Sequence, residues 1–153
     1  MEKHIISLSN KQATSTLGSV LATTCQQSCV IYLYGDLGVG KTTFCRGFLY
    51  TLGYIGHVKS PTYTLIESYI LLNWTVYHFD LYRLVDAIEL ELIGIRDYFN
   101  KTSLCLIEWP QHGIGLLPTA DISLTFHYQT NGRIAEIEAF TTTGVNLLAR
   151  LSL

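Results

Sequence analysis

The sequence is short of charge and of the patterns that mark several protein classes. Only 14% of its 153 residues are charged, and 10 Lys and Arg residues stand against 12 Asp and Glu residues, which gives a net charge of −2. Tight nucleic-acid binding usually needs a basic surface, so this balance argues against direct binding to DNA or RNA. No apolar run reaches the roughly 18 to 20 residues of a membrane span, and Glu2 and His4 do not fit a signal peptide. We therefore expect a cytoplasmic protein without membrane contact.

Cysteine-pairing signals are also missing. Cys25, Cys29, Cys45 and Cys105 include no Cys-x-x-Cys pair, so we expect reduced thiols rather than a zinc site or a disulfide. By contrast, 48% of the residues are hydrophobic and ten are tyrosines. This composition favours a large core and a surface suited to protein partners. The length predicts a single domain over residues 1–153.

The most specific motif is the stretch 34–43, which matches the phosphate-binding pattern G-x-x-x-x-G-K-[ST]. Its glycines let the backbone aim N–H groups at an anion. Lys41 is expected to reach the β- and γ-phosphates, and the Thr42 hydroxyl to ligate Mg²⁺. An apolar strand at 30–34 precedes the loop and a helix at 42–52 follows it, as the motif requires. The predicted nucleotide-binding residues here are Asp36, Leu37, Gly38, Val39, Gly40, Lys41, Thr42 and Thr43.

Patterns on either side of this loop predict further elements. Residues 3–8 are expected to form an edge strand, followed by a helix with a capping-box pattern at Ser9 and Gln12. After the loop helix, Pro61 disfavours a helical conformation at the preceding residue. We therefore expect the segment 60–63 to be extended and exposed near the loop.

The second half of the chain is rich in strand patterns. The predicted elements are a hairpin of 62–72 and 75–82, a short helix from Asp86 and Glu89 to Gly94, a central strand at 103–107, a second hairpin of 121–128 and 133–140 turning at Asn131-Gly132, and a last helix capped by Thr143. An antiparallel ribbon after the first β-α unit predicts a mixed sheet. We therefore predict an α/β fold of the P-loop NTPase type with three layers, a mainly parallel central sheet and antiparallel hairpins.

Two acidic residues are candidates for the chemistry beside the loop. Glu108 ends an apolar strand, where an acid either ligates a metal next to Thr42 or holds a metal-bound water. The alternative is a strand-end carboxylate paired with a nearby arginine. Asp80 ends another strand, where it either orients the attacking water or supports the metal shell, or simply pairs with Arg83.

Two neighbours of these acids, His78 and Trp109, each allow two interpretations. His78, on an apolar strand, is expected to be a core histidine with satisfied hydrogen bonds rather than a base. Trp109 follows the strand-end acid Glu108 and is expected either to pack in the core or to report on bound nucleotide.

Five segments, in this order, resemble one family. They read GDLGVGKTT at 35–43, SPTYTL at 60–65, HFDLYR at 78–83, GIRDY at 94–98 and IEWP at 107–110. The chain resembles the TsaE (formerly YjeE) family, small bacterial ATPases needed to make threonylcarbamoyladenosine beside the anticodon of certain tRNAs. The resemblance covers essentially the whole chain. One departure follows Trp109, where many members carry an acid and then a base but this chain has Pro110-Gln111-His112.

The resemblance implies roles for individual residues. It implies that the loop binds ATP, that Thr42 and Glu108 ligate Mg²⁺, and that Asp80 and Glu108 are the catalytic acids. The segment 60–62 matches a part likened to a nucleotide-sensing switch. The residues expected near the base are Asn10, Gly132 and Arg133.

The resemblance also implies partners. Family members work with TsaB and TsaD: TsaD transfers the threonylcarbamoyl group from an adenylate that TsaC makes, and ATP hydrolysis by the TsaE protein resets the complex. Contact with tRNA is then expected only indirectly, through the complex, which agrees with the absence of a basic surface.

Three other functions compete with this interpretation. Small-molecule kinases share the loop but usually need arginines on a lid, and the five arginines here are scattered. A GTPase would need an N-K-x-D motif, whereas Asn100-Lys101-Thr102-Ser103 lacks the aspartate. A nucleotide-sensing scaffold without turnover stays open.

Overall fold

One seven-stranded sheet organises the chain. The computed structural model describes residues 3–151, so Glu2 and the other terminal positions 1, 152 and 153 of the predicted domain lie outside it. The strands are β1 (Lys3–Leu8), β2 (Cys29–Tyr34), β3 (Ile66–Ile70), β4 (Thr75–Asp80), β5 (Ser103–Glu108), β6 (Ile122–Gln129) and β7 (Gly132–Ala139). Their order is β1-β7-β6-β2-β5-β4-β3. The central strands β6, β2, β5 and β4 run parallel, whereas β3, β7 and β1 pair antiparallel at the two sides. The predicted mixed sheet with two hairpins is therefore confirmed.

Helices cover both faces of this sheet and make three layers. The helices are α1 (Lys11–Thr24), α2 (Lys41–Thr51), α3 (Ile88–Leu92) and α4 (Thr142–Ala149), with short 3₁₀ helices at Ile95–Tyr98 and Pro110–Gly113. One core cluster joins α1, α2 and α4 to the sheet residues Ile31, Leu33, Leu104 and Leu106. A second cluster on the other face joins α3 to residues such as Phe79 and Ile107. Alternate residues of the central strands thus feed opposite cores, because side chains alternate along a strand.

Gly18 and Gly47 have no Cβ, and this lets the backbones of α1 and α2 come into contact where the two helices cross. A Cβ on Gly18 of α1 would lie 2.2 Å from the Phe44 carbonyl oxygen, and a Cβ on Gly47 of α2 would lie 2.1 Å from the Ser15 carbonyl oxygen. Ser19 also donates a hydrogen bond to the Gly47 carbonyl at 3.2 Å. This close crossing fixes the start of α2, and hence the phosphate loop, against the start of α1.

The structure corrects three predictions about helix caps and turns. The first helix is capped by Asn10, whose side chain accepts from Ala13 N at 2.9 Å, and not by Ser9. The last helix is capped by Thr141, which accepts from Gly144 N, and not by Thr143. The second hairpin pairs Gln129 with Gly132, so its two loop residues are 130 and 131 rather than Asn131-Gly132. In each case neighbouring residues have similar capping or turn preferences, so the local sequence does not decide which of them takes the role.

The segment after the loop helix also differs from its prediction. Residues 61–64 form a turn, closed by a 2.8 Å hydrogen bond from Leu65 N to the Pro61 carbonyl, and Pro61 is buried. The predicted extended conformation was wrong, because proline restricts the residue before it and not the residues after it. The position near the loop was correct, since Ser60 and Thr62 line the same cleft as Lys41.

Within residues 3–151, no helix has both the length and the apolar character that a bilayer crossing requires.

Candidate functional site

The phosphate loop lies between the end of β2 and the start of α2. Gly35, Gly38 and Gly40 have φ angles of 143°, 76° and 123°, which L side chains rarely adopt. A Cβ on Gly35 would also lie 2.8 Å from a Val39 methyl carbon. The loop backbone therefore needs these glycines, and it leaves the N-terminus of α2 open toward a cleft where an anion is favoured.

Lys41 lies almost buried at the base of this loop. Its side chain donates a hydrogen bond to the Gly35 carbonyl, and its Nζ lies 4.0 Å from the centre of the Trp109 ring. Burial lowers the pKa of Lys41, and the nearby carboxylates of Glu108, Asp80 and Asp36 counteract that effect. Trp109 itself has a left-handed backbone, with φ of 57°, which turns its ring back over the loop. Trp109 therefore packs against Lys41, rather than in the core alone.

Glu108 lies directly opposite the start of α2. It ends β5, is 3% exposed, and its Oε2 accepts a 3.3 Å hydrogen bond from the Thr42 hydroxyl. Adjacent ligands of an octahedral Mg²⁺ with bond lengths near 2.1 Å lie about 3 Å apart. The hydroxyl and carboxylate oxygens therefore fit a magnesium ion in both chemistry and spacing. The alternative of a strand-end carboxylate paired with an arginine is wrong, since within residues 3–151 no arginine lies within ion-pair distance of Glu108, whose short contact is with His78.

Asp80 completes the acidic side of the cleft. It pairs with Glu108 across β4 and β5, and its carboxylate accepts from Tyr82 N at 3.0 Å and from the Thr62 hydroxyl at 3.4 Å. Burial and, next, the charge of Glu108 raise the pKa of Asp80, while the Tyr82 N–H opposes the rise. The Thr62 contact connects this acid to the segment 60–62.

The alternative pairing of Asp80 with Arg83 is not found. Among the ion pairs of residues 3–151 none joins these two side chains, and the Arg83 guanidinium lies 4.4 Å from the centre of the Tyr63 ring instead. Asp80 is therefore left with hydrogen-bond donors and no cation of its own beyond Lys41 across the cleft.

His78 has a contact that sequence reasoning missed. The residue is fully buried, as a core histidine should be, but its Nε2 lies 2.6 Å from Oε2 of Glu108. Its Nδ1 has no hydrogen-bond partner among the described residues, so the prediction of a satisfied core histidine was wrong. The contact spans 30 positions of sequence, and only the pairing of β4 with β5 creates it.

Two connected cavities hold the predicted nucleotide-binding residues except Asp36, which lines neither of them. One, of about 310 Å³, is lined by Lys41, Thr42, Asp80, Glu108 and Trp109 together with Ser60 and Thr62. The second, of about 360 Å³, is lined by Asn10, Gly132 and Arg133. Lys11, Gly38, Gly40 and Thr43 line both cavities, so the two form one continuous groove. The structure thus places the three residues predicted near the base at one end of the groove and the acids at the other.

Tyr128 joins the base end of the groove to the phosphate loop. Its hydroxyl donates to the Leu37 carbonyl at 2.6 Å, and its ring lies 4.3 Å from the Arg133 guanidinium. Arg133 in turn donates to the Val39 carbonyl at 3.3 Å. The turn residues 130–132 are thereby tied to the loop. In the sequence Tyr128 is one residue of an alternating strand, and that pattern carries no signal of this contact.

Comparison with known proteins agrees with this geometry. The family profile described as "Threonylcarbamoyl adenosine biosynthesis protein TsaE" matches residues 8–135. The chain belongs to the TsaE family. It is 51% identical over 127 residues to the tRNA threonylcarbamoyladenosine biosynthesis protein TsaE of Haemophilus influenzae, covering 83% of this chain and 80% of the relative. The protein of the same name from a Nostoc species is 35% identical over 149 residues, covering 94% of this chain and 91% of the relative.

A solved structure supports the fold of this TsaE chain. The crystal structure of Bacillus subtilis YdiB superposes with a TM-score of 0.82 at 26% identity, over 97% of this chain and 93% of that one. The fold is that of a P-loop NTPase, as predicted. The groove described above therefore lies in a nucleotide-binding fold, within a family of tRNA threonylcarbamoyladenosine biosynthesis.

Proposed function

We propose that this protein is an ATPase that supports formation of threonylcarbamoyladenosine in tRNA by hydrolysing ATP within a complex with TsaB and TsaD. The observation that carries the proposal is the meeting of Lys41, Thr42, Asp80 and Glu108 around one cleft at the N-terminus of α2. In this role hydrolysis resets the complex between turnovers in the cytoplasm, and tRNA is bound only through the partners. The membership in the TsaE family supports the pathway, and the acids beside the loop support turnover.

Each residue of the cleft has a physical task in this proposal. The N–H groups of Gly38 to Lys41 and the Lys41 ammonium bind the phosphates. Thr42 and Glu108 would hold Mg²⁺, which would supply positive charge to offset the charge of the phosphate oxygens. Asp80 accepts a hydrogen bond from the attacking water and orients it, since its carboxylate lies beside Glu108 and faces the same cleft.

We assign the adenine base to the end of the groove that Asn10, Gly132 and Arg133 line. Asn10 uses its carbonyl oxygen to cap α1, which leaves its amide N–H groups free to donate to a ring nitrogen. Arg133 and Gly132 form the opposite wall. We place the adenine between these walls, with the sugar over Gly40 and Thr43, where the two cavities meet.

The rival functions fit the groove less well. A kinase lid would bring arginines to the transferred phosphoryl group, but within residues 3–151 no arginine lines the phosphate cavity. Asn100 and Lys101 lie just before β5 begins, at the end of the sheet away from Glu108, so they are not placed to read guanine. A scaffold without turnover would not need two buried acids beside the loop.

Separate measurements of binding and hydrolysis test the proposal. Asp80→Ala and Glu108→Ala should lose ATP hydrolysis, measured with TsaB and TsaD present, more than they lose ATP affinity, measured by calorimetry. The Glu108 variant should in addition respond more weakly to Mg²⁺. Hydrolysis at the parental rate by either variant would show that its assigned role is wrong, and ATP binding without hydrolysis by the parent would favour the scaffold.

A further inference from the structure

The contact between His78 and Glu108 gives the buried histidine a task. His78 lies on β4 and Glu108 on β5, where Asp80 is the direct partner of Glu108 and His78 that of Leu106. His78 and Glu108 are thus diagonal neighbours, on the sheet face that packs against α2. The 2.6 Å separation of Nε2 and Oε2 makes this a short hydrogen bond in a site where both side chains are almost completely buried.

The other ring nitrogen argues against a purely structural role. When Nε2 carries the proton and donates to Glu108, the buried Nδ1 is left without a partner among residues 3–151. An unpaired buried polar atom is unfavourable, and an apolar side chain of similar size would avoid that cost. The neighbours Val76 and Leu106 on the same face are indeed apolar. The presence of an imidazole at this position is therefore explained by the hydrogen bond between its Nε2 and Glu108.

Glu108 needs a stronger donor than Thr42, and the His78 Nε2 meets the same oxygen, Oε2, that accepts from Thr42. The Glu108 carboxylate lies beside the carboxylate of Asp80, and the two like charges disfavour each other. Burial, first, and then the charge of Glu108 raise the pKa of Asp80. The Thr42 hydroxyl is a weak restraint at 3.3 Å. The imidazole is the closer partner, with Nε2 at 2.6 Å from the same carboxylate.

We propose that His78 is a positioning residue, which donates its Nε2–H to Glu108 and so holds the carboxylate in the orientation that faces Thr42 and the phosphate loop. Carboxylates that bind metals are commonly held by such hydrogen bonds, and loss of the outer partner typically costs about 10- to 100-fold in metal affinity or activity. The inference rests on the proposed role of Glu108 in holding Mg²⁺.

Three substitutions of His78 separate the position of the N–H donor from the mere presence of a polar side chain. His78→Gln carries an amide N–H at about the distance of Nε2 from the backbone, whereas His78→Asn carries one only as far as Nδ1. His78→Leu removes the donor and keeps the volume similar. We expect the Leu and Asn variants to need about 10- to 100-fold more Mg²⁺ for half-maximal ATP binding by calorimetry, and the Gln variant to recover most of the loss. ADP affinity in EDTA should stay within about twofold for all three, since His78 touches neither the loop nor the groove.

A double-mutant cycle tests whether His78 acts through Glu108. In a Glu108→Gln background His78→Leu should add little to the Mg²⁺ requirement, because the restrained carboxylate is already gone. An unchanged Mg²⁺ requirement of His78→Leu, additive effects in the cycle, or an equal loss of ADP binding in EDTA would each overturn the proposal. A wild-type protein whose ATP binding ignores Mg²⁺ would overturn the role of Glu108 as well, so the two failures are distinguishable.

Cys45 supplies a matched control. Its Sγ lies with ligand atoms of His78 and Glu108 inside a 4.8 Å cluster, but burial, as the largest cause, raises the pKa of this thiol well above its ordinary value and so keeps it protonated. Cys45→Ser should therefore leave the Mg²⁺ requirement unchanged. A Zn²⁺ affinity that falls in both Cys45→Ser and His78→Leu would show instead that the three residues form a metal site, and would overturn the positioning role.

Discussion

At the scale of single residues, Lys41 combines burial with positive charge. The residue is 4% exposed, and its ammonium contacts the Gly35 carbonyl and the Trp109 ring. If Lys41 binds phosphate as proposed, we expect phosphate oxygens to replace these two contacts, because they are stronger partners for an ammonium than a carbonyl or an aromatic face.

Removal of this charge should weaken nucleotide binding. We expect Lys41→Ala to lower ATP affinity at least about tenfold, or about 1.4 kcal/mol, by calorimetry. Lys101→Ala is the matched control, because Lys101 is exposed before β5, far from the loop. Equal ATP affinity of Lys41→Ala and the parent protein would contradict the assigned role of Lys41.

In the absence of nucleotide, the ionised Asp80 carboxylate should lower the free energy of unfolding at neutral pH. Burial and Glu108 raise its pKa in the folded protein, so the folded state binds this proton more readily than the unfolded chain does. The contribution of Asp80 to stability is then present at low pH and is lost as pH rises through the raised pKa. At neutral pH the ionised carboxylate is a net cost to the fold.

Asp80→Asn should therefore raise the Tm at pH 7 while it abolishes hydrolysis. A change of 1 kcal/mol corresponds to about 2 to 4 °C for a domain of this size, so differential scanning calorimetry resolves the effect. The gain should shrink as pH falls through the raised pKa of Asp80, because the parental carboxyl then takes up its proton as well. Glu91→Gln, at an exposed position of α3, controls for net charge. A lower Tm at pH 7, or a gain that grows as pH falls, would show that the ionised carboxylate stabilises the fold.

At the scale of elements, the crossing of α1 and α2 sets the site. Asn10 precedes α1 and Lys41 begins α2, so the relative position of the two helices determines the width of the groove. Gly18 and Gly47 permit the close crossing. Larger side chains at these positions would push the helix starts apart.

Gly18→Ala should destabilise the protein, although alanine has the higher helix propensity by about 1 kcal/mol. The added Cβ would lie 2.2 Å from the Phe44 carbonyl oxygen, and such overpacking typically costs about 1 to 3 kcal/mol. Urea unfolding measures the change. Thr16→Ala, at an exposed position of the same helix, should be neutral or stabilising. Equal or greater stability of Gly18→Ala would mean that the helices separate without cost.

Elements with strong local patterns were predictable from sequence. The β2–loop–α2 unit follows from its apolar run and its glycines, and both hairpins follow from alternation, because these signals lie within a few residues of one another. The choice of Asn10 over Ser9 as the cap did not follow, since both residue types cap well. Nor did the stacking of Arg83 on Tyr63 or the His78 contact, since each joins residues far apart in sequence that the fold brings together. The turn at 61–64 is local, and it was missed because proline restricts the residue before it and not the residues after it.

At the scale of the whole molecule, the site lacks a cation that fast P-loop enzymes commonly use. Such enzymes meet the charge on the γ-oxygens with an additional arginine, in cis or from a partner. Arg133 is engaged with the Val39 carbonyl and the Tyr128 ring at the base end, and Arg83 lies over Tyr63. Of residues 3–151, the cations that line the phosphate cavity are Lys11 and Lys41.

The surface next to this cavity is apolar and exposed. Leu37 of the loop is 59% exposed and Tyr63, beside Ser60 and Thr62, is 85% exposed. Exposed apolar residues at the rim of a site are typical of a docking surface. A partner bound there would contact the loop and the turn at 61–64 at once, and so reach the hydroxyl of Thr62 that bonds Asp80.

We therefore expect the isolated protein to hydrolyse ATP slowly and to become competent on its partners. A TsaB–TsaD complex would either insert a cation or order residues 60–62 over the γ-phosphate; a partner-supplied arginine alone is worth about 10³ to 10⁵ in kcat. Phosphate release by the pure protein should rise at least tenfold, a conservative fraction of that range, as TsaB–TsaD is titrated in, while Lys41→Ala under the same conditions reports any contaminating ATPase. A free-protein rate already at several per second that the partners leave unaltered would show that the cleft is catalytically complete by itself, with Lys11 and Lys41 sufficient to stabilise the transferred phosphoryl group.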